Sequence, residues 1–271
     1  MASIDVVIPC YNYGRFLADA VRSVSSQEGV DLRVLVIDNA SNDDSLDVAH
    51  ALAAQDKRIR VIAHSVNQGP TSSYNEGIDE ASADYFLLLD ADDLLAPGAL
   101  SRAVTVLENN PNVCFAYGVE GRLDEGNAAQ WTAPRTQGGA SVVGGRDFIR
   151  GLCRWPVNRI GANTVVRRTS AQKRIGHYRS SLPYTDDLEM WLRLATLGGV
   201  AGIRDVQAVR RYHGTRMSVH YQSRQARDFV EVVAHLHRPA VDRFGQQRGR
   251  RDQCDVGAEQ VQRLHVAARH A

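Results

Sequence analysis

The sequence predicts an α/β fold, in which a mostly parallel β-sheet is flanked by helices. Over the first 120 residues, short apolar runs alternate with segments of helical periodicity. Strands separated by helices of about ten to thirteen residues are typical of parallel βαβ units. In addition, acidic and amide side chains follow several of the apolar runs. Open α/β sheets bind ligands outside the carboxyl ends of their strands, so we expect a ligand site at that edge.

Five strands are predicted in the first part of the chain. Each is a short apolar run, and a continuous run such as Tyr85–Leu89 indicates a strand that is buried. The predicted strands are Ile4–Pro9, Leu32–Ile37, Arg58–Ala63, Tyr85–Leu89 and Val113–Val119.

Four helices are predicted between these strands. The second is marked by Ser41 and the polar residues after it, which are favourable N-cap types. The fourth follows Pro97, and proline is favoured in the first turn of a helix. The predicted helices are Phe16–Val24, a segment ending near Ala54, Thr71–Ala81 and Gly98–Glu108.

The second part of the chain is less regular. Residues 121–145 are rich in Gly, Ala, Thr and Gln, which predicts a loop-rich connection. The elements predicted after it are a helix at Arg146–Leu152, a strand at Asn163–Arg167, a helix at Asp187–Leu197, a strand at Val206–Tyr212 and a helix at about Gln222–Phe244.

Composition indicates a globular protein with an uneven charge distribution. The 271 residues are 44% hydrophobic, enough for a substantial core, and the net charge is +1. Residues 204–271 contain 13 Arg, 7 acidic residues and six of the nine His. Such a basic tail suits a solvated helical face, or contact with an anionic membrane surface or a phosphate-bearing acceptor.

The cysteines predict neither a zinc site nor a disulfide framework. Cys10, Cys114, Cys153 and Cys254 are far apart and form no CxxC pair. A reducing cytoplasm is the simplest setting for such a chain. The sequence shows no signal peptide and no transmembrane helix, so we expect a cytoplasmic protein whose membrane contact, at the inner face, would be peripheral.

The segment Asp90-Ala91-Asp92-Asp93 is the strongest functional signal. It follows the apolar run Tyr85–Leu89, so it places three carboxylates at the carboxyl end of a buried strand. Clustered carboxylates repel one another unless a cation relieves the repulsion, and oxygen ligands suit divalent ions. The alternative is an acidic helix N-terminus, which the helix macrodipole would favour.

Other predicted strand ends carry polar groups that suit a nucleotide. The first strand ends in Pro9-Cys10-Tyr11-Asn12, whose aromatic ring could stack on a base, and the second ends at Asp38. A turn at Asn67-Gln68-Gly69 precedes the third helix. The chain has neither the Rossmann dinucleotide fingerprint nor a P-loop, so phosphates would be held through a metal.

Taken together, these segments resemble the family 2 glycosyltransferases of the GT-A fold. The resemblance covers about residues 3–218 and rests on five blocks in the family's order. The blocks are Ile4–Asn12, Val36–Asp43, Asn67–Gly69 with Asn75–Gly77, Asp90–Asp92, and Asp186–Arg193.

The resemblance implies a division of the chain and a reaction. Residues 1–120 would bind the nucleotide sugar, residues 121–218 would form the acceptor-binding and catalytic half of the same domain, and residues 219–271 would form a helical tail. The donor would be a nucleoside diphosphate sugar, most often a UDP sugar, and transfer to an acceptor hydroxyl would invert the anomeric carbon. The acceptor could be a glycan, a lipid-linked sugar or a small metabolite, and nucleic acid is not an expected partner.

The resemblance also implies roles for individual residues on the donor side. Asp92 would be the direct ligand of Mn²⁺ or Mg²⁺, Asp90 would serve the ribose or a metal-bound water, and His213 would approach the metal or the diphosphate. Asp93 would support the start of the following helix. The nucleotide contacts would come from Pro9, Tyr11, Asn12, Asp38, Asn67, Gly69, Asn75, Asp90, Ala91 and Arg216.

On the acceptor side, Asp187 would be the general base that removes the proton of the acceptor hydroxyl. Asp186, Trp155 and Tyr178 would contact the acceptor. The alternative is that the two aspartates only stabilise the helix N-terminus. One departure from the family is Tyr74, which stands where relatives often have Arg or Lys.

Two other kinds of protein remain possible from the sequence. One is a different metal-dependent nucleotide-sugar enzyme, such as a sugar nucleotidyltransferase, although the Gly-rich loop typical of those is missing. The other is a non-catalytic sugar-nucleotide-binding domain. The presence of Asp38, Asp90, Asp92 and Asp187 argues against a degenerate site.

Overall fold

The computed structural model describes residues 1–125, 132, 134, 136–154, 158–182 and 185–214. In chain order the elements are β1 Ser3–Cys10, α1 Gly14–Ser25, β2 Asp31–Asp38, α2 Ser45–Gln55, β3 Ile59–Ala63, α3 Pro70–Glu80, β4 Tyr85–Leu88, β5 Leu94–Leu95, α4 Ala99–Glu108, β6 Val113–Asp124, β7 Ala140–Val143, α5 Gly145–Arg154, β8 Val166–Arg168, α6 Thr169–Ile175, α7 Asp186–Ala195 and β9 Gly199–Tyr212. A short 3-10 helix, Ala162–Thr164, precedes β8.

The strands form one sheet in the order β3-β2-β1-β4-β8-β6-β9-β5, and β7 pairs with β9. The part from β3 to β4 is parallel, as the sequence predicts. Beyond β4 the pairing is mixed, because β8 runs antiparallel to both β4 and β6, whereas β6 and β9 are parallel. Cys10 pairs with Asp38 and Val7 with Leu88, so β1, β2 and β4 end at one edge of the sheet.

The core lies on both faces of this sheet. Along β1, Val6 and Ile8 join a cluster that includes Leu17 of α1, whereas Val7 between them joins a second cluster that includes Trp191 of α7. Successive strand side chains point to opposite faces, so one apolar run supplies both clusters. Each fully buried Leu or Ile contributes roughly 1.5–3 kcal/mol to folding. The predicted helical layers on both faces are confirmed.

The predictions for the first part of the chain match the elements to within a few residues, apart from the two-residue strand β5, which was missed. Those for residues 121–145 were wrong in part, because β6 continues to Asp124 and β7 occupies Ala140–Val143. The strand predicted at Asn163–Arg167 starts only at Val166, and α6 was not predicted. The helix predicted at about Gln222–Phe244 lies outside the described residues.

Within the described ranges, no helix has the length and hydrophobicity needed to cross a membrane.

Candidate functional site

A cavity of about 920 Å³ opens at the edge where β1, β2 and β4 end. Its walls come from the β1–α1 loop, the β2–α2 loop, the start of α3, the segment after β4, and β9. Seven of the predicted nucleotide and metal residues line it: Pro9, Tyr11, Asn12, Asn67, Asp90, Ala91 and Asp92. The expectation of a ligand site at this edge of the sheet therefore has a matching cavity in the structure.

Three carboxylates after β4 form a compact oxygen cluster. One carboxylate oxygen from each of Asp90, Asp92 and Asp93 lies within 4.8 Å of the others. Desolvation and the charge of Asp92 raise the pKa of Asp90 to about 7. Asp90 is exposed and lines the cavity, so solvent screens part of this repulsion. A bound cation would relieve this repulsion.

Asp93 is held by protein donors. Its Oδ1 accepts the Arg211 N–H at 2.9 Å, and its Oδ2 accepts the Asn163 side-chain amide at 2.7 Å. Asp93 is only 2% exposed, and burial raises its pKa well above the usual value. Since both of its oxygens are engaged, the two carboxylates most open to a cation are Asp90 and Asp92.

His213 lies directly behind Asp92. Its Nε2 is 2.9 Å from Oδ2 of Asp92, and its side chain is fully buried. The ring packs against Phe16 at a centroid distance of 4.6 Å. His213 and Asp92 are thus in direct contact although they are 121 positions apart, and the role of His213 toward a metal or a diphosphate stays a prediction.

The loop after β1 is tied to the loop after β2. The Asn12 N–H donates to Ser41 Oγ at 2.9 Å, and Asn12 Oδ1 accepts the Asn42 N–H at 2.7 Å. Asn12 has a φ of 57°, a left-handed conformation that Asn tolerates better than most residues. This arrangement leaves Tyr11 41% exposed in the cavity wall, where its ring is open to a ligand.

Asn39 connects the second and third blocks, a role that no sequence pattern predicts. Its Oδ1 accepts the Gln68 N–H at 2.9 Å, and its Nδ2 donates to Asn67 Oδ1 at 3.0 Å. Asn39 lines the cavity, whereas its neighbour Asp38 is 1% exposed and does not. The nucleotide-contact role of Asp38 stays a prediction, and Asn39 is the residue of this pair that reaches the cavity.

Asn75 does not line the cavity. Its Nδ2 donates to the Tyr178 carbonyl at 3.0 Å, and its Oδ1 accepts the Tyr178 N–H at 2.8 Å. Both of its polar side-chain atoms are therefore used to hold the main chain of Tyr178. Gly69 has a φ of 82° just before α3, a conformation that favours glycine, and it is also absent from the lining.

Asp186 and Asp187 begin α7, and Thr185 is its N-cap. Desolvation and the charge of Asp187 raise the pKa of Asp186 to about 8. Desolvation also raises the pKa of Asp187, whereas the positive charges of Arg167 and Arg210 oppose that rise. The two aspartates do not line the cavity, but their negative charges act on Tyr74, which does. Desolvation therefore raises the pKa of both carboxyl groups at the start of α7.

Sequence reasoning also missed other cavity residues, among them Arg210 and Tyr74. Arg210 of β9 lines the cavity and pairs with Glu120 at 3.1 Å. Tyr74, which stands where relatives often have Arg or Lys, lies in the wall with its ring 5.6 Å from that of Tyr178. No short motif marks Arg210, because its position depends on the pairing of β9 with β6. Two predicted site residues, Trp155 and Arg216, lie outside the described residues.

Comparison with known proteins agrees with this geometry. Residues 5–175, more than half of the chain, match the family Glycosyl transferase family 2. An uncharacterised glycosyltransferase of Haemophilus influenzae is 24% identical over 239 residues, which is 82% of this chain and 69% of that protein. The GalNAc(5)-diNAcBac-PP-undecaprenol beta-1,3-glucosyltransferase of Campylobacter jejuni is 30% identical over 151 residues, which is 55% of this chain and 48% of that protein.

Two solved structures share the fold. Staphylococcus aureus TarS in complex with UDP-GlcNAc aligns with a TM-score of 0.66 at 19% identity, over 85% of this chain and 64% of that one. The mannosyltransferase PcManGT of Pyrobaculum calidifontis, in complex with GDP-Man and Mn²⁺, aligns with a TM-score of 0.65 at 18% identity, over 98% of this chain and 69% of that one. The chain thus spans about half to two thirds of the length of several of these relatives. From the family match and the shared fold, we conclude that this chain belongs to glycosyl transferase family 2.

Proposed function

We propose that this protein transfers a sugar from a nucleoside diphosphate sugar to an acceptor hydroxyl, with a divalent cation and with inversion at the anomeric carbon. The observation that carries the proposal is the cluster of Asp90, Asp92 and Asp93, whose oxygens lie within 4.8 Å of one another beside the cavity. Relatives named as glycosyltransferases and a structural neighbour in complex with GDP-Man and Mn²⁺ support it.

The residues of the cluster fit a divalent cation. All three offer oxygen, which Mg²⁺ and Mn²⁺ prefer, and burial makes Asp92 poorly hydrated in the absence of a counter-charge. Asp90 and Asp92 would hold the ion, with His213 behind Asp92 at 2.9 Å. A cation there would neutralise the negative charge that develops on the departing diphosphate.

The donor would bind with its base near Tyr11 and its diphosphate toward the acidic cluster. Tyr11 offers an exposed ring, and the network of Asn39 and Asn67 offers amide groups in the same wall. Arg210 is placed to contact a phosphate oxygen, since it lines the cavity beside Asp90. A UDP sugar is our first choice of donor, and a relative of the fold in complex with UDP-GlcNAc supports testing it first.

Asp187 would act as the general base. Its raised pKa brings a carboxyl group closer to neutral pH, where a base is most effective. It would take the proton of the acceptor hydroxyl as that oxygen attacks the anomeric carbon from the face opposite the diphosphate. Tyr74, in the wall between the two sets of carboxylates, would border the sugar that is transferred.

Calorimetric titration of the full chain with UDP, dTDP, GDP and CDP tests the donor site, in Mn²⁺ and in EDTA. We expect one nucleotide to bind in Mn²⁺ and to lose most of its affinity in EDTA or in Asp92→Asn. The control is Asp147→Asn, which removes an exposed carboxylate on α5 outside the cavity. Binding of no nucleotide under either condition, or binding that ignores both the metal and Asp92, would contradict the proposal.

Hydrolysis of the matching nucleotide sugar then separates an enzyme from a binding protein. We expect slow release of the free sugar by the wild type and almost none by Asp187→Asn, with unchanged nucleotide affinity. The first-formed anomer, read by NMR, reports the stereochemistry. Unchanged hydrolysis in Asp187→Asn would remove Asp187 from the reaction.

A further inference from the structure

His64 connects the end of β3 to the wall of the cavity. It directly follows β3, and its side chain is only 7% exposed. Its Nδ1 lies 2.9 Å from Oδ1 of Asn39, and its Nε2 lies 2.6 Å from Oε2 of Glu76 on α3. Asn39 lines the cavity, whereas His64 and Glu76 do not. His64 therefore contacts a residue of the cavity wall without lining the cavity itself.

Two backbone N–H groups determine which way the amides of Asn39 and Asn67 face. The Gln68 N–H donates to Asn39 at 2.9 Å, so the accepting atom of Asn39 is its oxygen. The Gly69 N–H donates to Asn67 at 2.8 Å, so the accepting atom of Asn67 is also its oxygen. Asn39 Nδ2 then donates to this same oxygen at 3.0 Å. Because a backbone N–H can only donate, turning either amide over would lose a hydrogen bond.

The orientation of Asn39 also determines where His64 carries a proton. An amide oxygen can only accept, so the Nδ1 that faces Asn39 must be protonated. The contact of Nε2 with the Glu76 carboxylate requires a proton as well, since two lone pairs 2.6 Å apart would repel each other. His64 is thus a hydrogen-bond donor to Asn39, and Glu76 holds the other side of its ring.

This chain of contacts leaves the amide nitrogen of Asn67 for a ligand. The oxygen of Asn67 accepts two hydrogen bonds, from the Gly69 N–H and from Asn39 Nδ2. Among the described residues, Asn67 Nδ2 has no acceptor, and Asn67 is exposed in the cavity wall. An amide nitrogen offers two donors, which suit an oxygen acceptor of a nucleotide.

We propose that His64 is a positioning residue for the donor, and that through Asn39 it fixes the Asn67 amide so that its N–H groups bind an oxygen of the nucleotide. The proposal rests on the nucleotide binding of the proposed function. His64 would act without touching the nucleotide, because only the two asparagines of this chain of contacts line the cavity.

The first test reads the protons of His64 directly. Long-range ¹H–¹⁵N NMR of the full chain, labelled with ¹⁵N histidine and assigned with His64→Asn, distinguishes a protonated ring nitrogen from an unprotonated one. We expect Nδ1 of His64 to be protonated at neutral pH, with and without nucleotide. An unprotonated Nδ1 would overturn the proposal, because the ring could then donate no hydrogen bond to Asn39.

The second test compares the affinity for the nucleotide, of UDP, dTDP, GDP and CDP, that binds the wild type in Mn²⁺. His64→Leu removes the donor, so we expect the dissociation constant to rise about three- to tenfold, as for the loss of one hydrogen bond. His64→Asn places an amide nitrogen near the position of Nδ1, so it should recover most of the affinity. Affinity for Mn²⁺ alone should stay unchanged, because the side-chain hydrogen bonds of His64 go to Asn39 and Glu76.

His177→Leu is the matched control. It also breaks a contact between a histidine and a carboxylate of α3, since His177 Nε2 lies 2.8 Å from Oδ1 of Asp79. Neither of these residues lines the cavity, so nucleotide affinity should not change. If His64→Leu does not fold, His64→Gln takes its place, because its longer amide can reach Glu76 but supplies no donor at the position of Nδ1.

A double-mutant cycle separates positioning from a general structural effect. Asn67→Ala removes the proposed contact to the nucleotide, so His64→Leu should cause no further loss of affinity in that background. Losses that add would mean that His64 acts independently of Asn67 and would overturn the proposal. Unchanged affinity in folded His64→Leu would overturn this proposal alone. If none of the four nucleotides binds the wild type, the proposed function fails together with it.

Discussion

His213 Nε2 lies 2.9 Å from Oδ2 of Asp92, across 121 residues of sequence. The contact joins His213, which follows β9, to Asp92, which follows β4 and lines the cavity. A buried imidazole in contact with one carboxylate orients that carboxylate, and such outer contacts tune metal affinity.

We therefore expect His213→Ala to weaken Mn²⁺ binding by about 10- to 100-fold, as loss of a ligand or its supporting partner usually does. Binding is measured by calorimetry or by the electron paramagnetic resonance signal of free Mn²⁺. His50→Ala, a change at an exposed position on α2, is the control. Equal affinity in the two variants would remove His213 from the metal site.

Tyr11 is expected to bind the donor base by stacking. Stacking of an aromatic ring on a base contributes roughly 1–3 kcal/mol, so Tyr11→Ala should raise the nucleotide dissociation constant by about tenfold or more. Tyr11→Phe keeps the ring and should bind nearly as well as the wild type. A similar loss in both variants would mean that the hydroxyl, and not the ring, makes the contact.

Gly77 permits close packing of α3 on β1. A Cβ at Gly77 would lie 2.5 Å from Val7 Cγ1, so Gly77→Ala should lower the free energy of unfolding by about 1–3 kcal/mol. Gly151 of α5 has no neighbour within 4 Å of an added Cβ, and Gly151→Ala should instead stabilise by about 0.5–1 kcal/mol. Urea unfolding measures both, and equal effects would contradict the packing argument.

Asp186 should make the metal-free protein less stable as the pH rises. Its pKa is raised from 3.8 to about 8, so folding favours the protonated form. The stability that protonated Asp186 contributes is fully present below about pH 4 and is lost as the pH rises through about 8. An ion-paired carboxylate behaves in the opposite way, because it loses its contribution as the pH falls. Between pH 5 and pH 8 the free energy of unfolding of the wild type should therefore fall relative to that of Asp186→Asn. Urea titration in EDTA measures both. A constant difference between the two proteins would mean that the pKa of Asp186 is not raised by folding.

The parallel part of the sheet could be predicted from the sequence because its strands are local signals. Runs such as Tyr85–Leu89 are apolar throughout, and a strand buried on both faces needs no alternation. The acidic segment after β4 and Tyr11 after β1 are likewise found by their position at strand ends. The carboxyl ends of parallel strands meet at one edge of a sheet. Predicting parallel strands was therefore enough to predict that these residues lie at one edge.

The mixed part of the sheet could not be predicted in the same way. β6 continues to Asp124 through polar residues because it pairs with β9 along most of its length, with irregularities in register. The paired residues of β6 and β9 are about ninety positions apart in the sequence, and no local sequence pattern predicts such a pairing. The placement of Arg210 in the cavity wall follows from this pairing.

By itself, the sequence determined the α/β class, the first four strands and the family, because these depend on apolar periodicity and on short motifs read in order. The tertiary structure decided which polar residues reach the cavity. Asn39 lines it whereas Asp38 is enclosed, and Asn75 holds the main chain of Tyr178. The physical reason is that the direction of a side chain depends on the partners that satisfy its hydrogen bonds, and those partners come from distant parts of the chain.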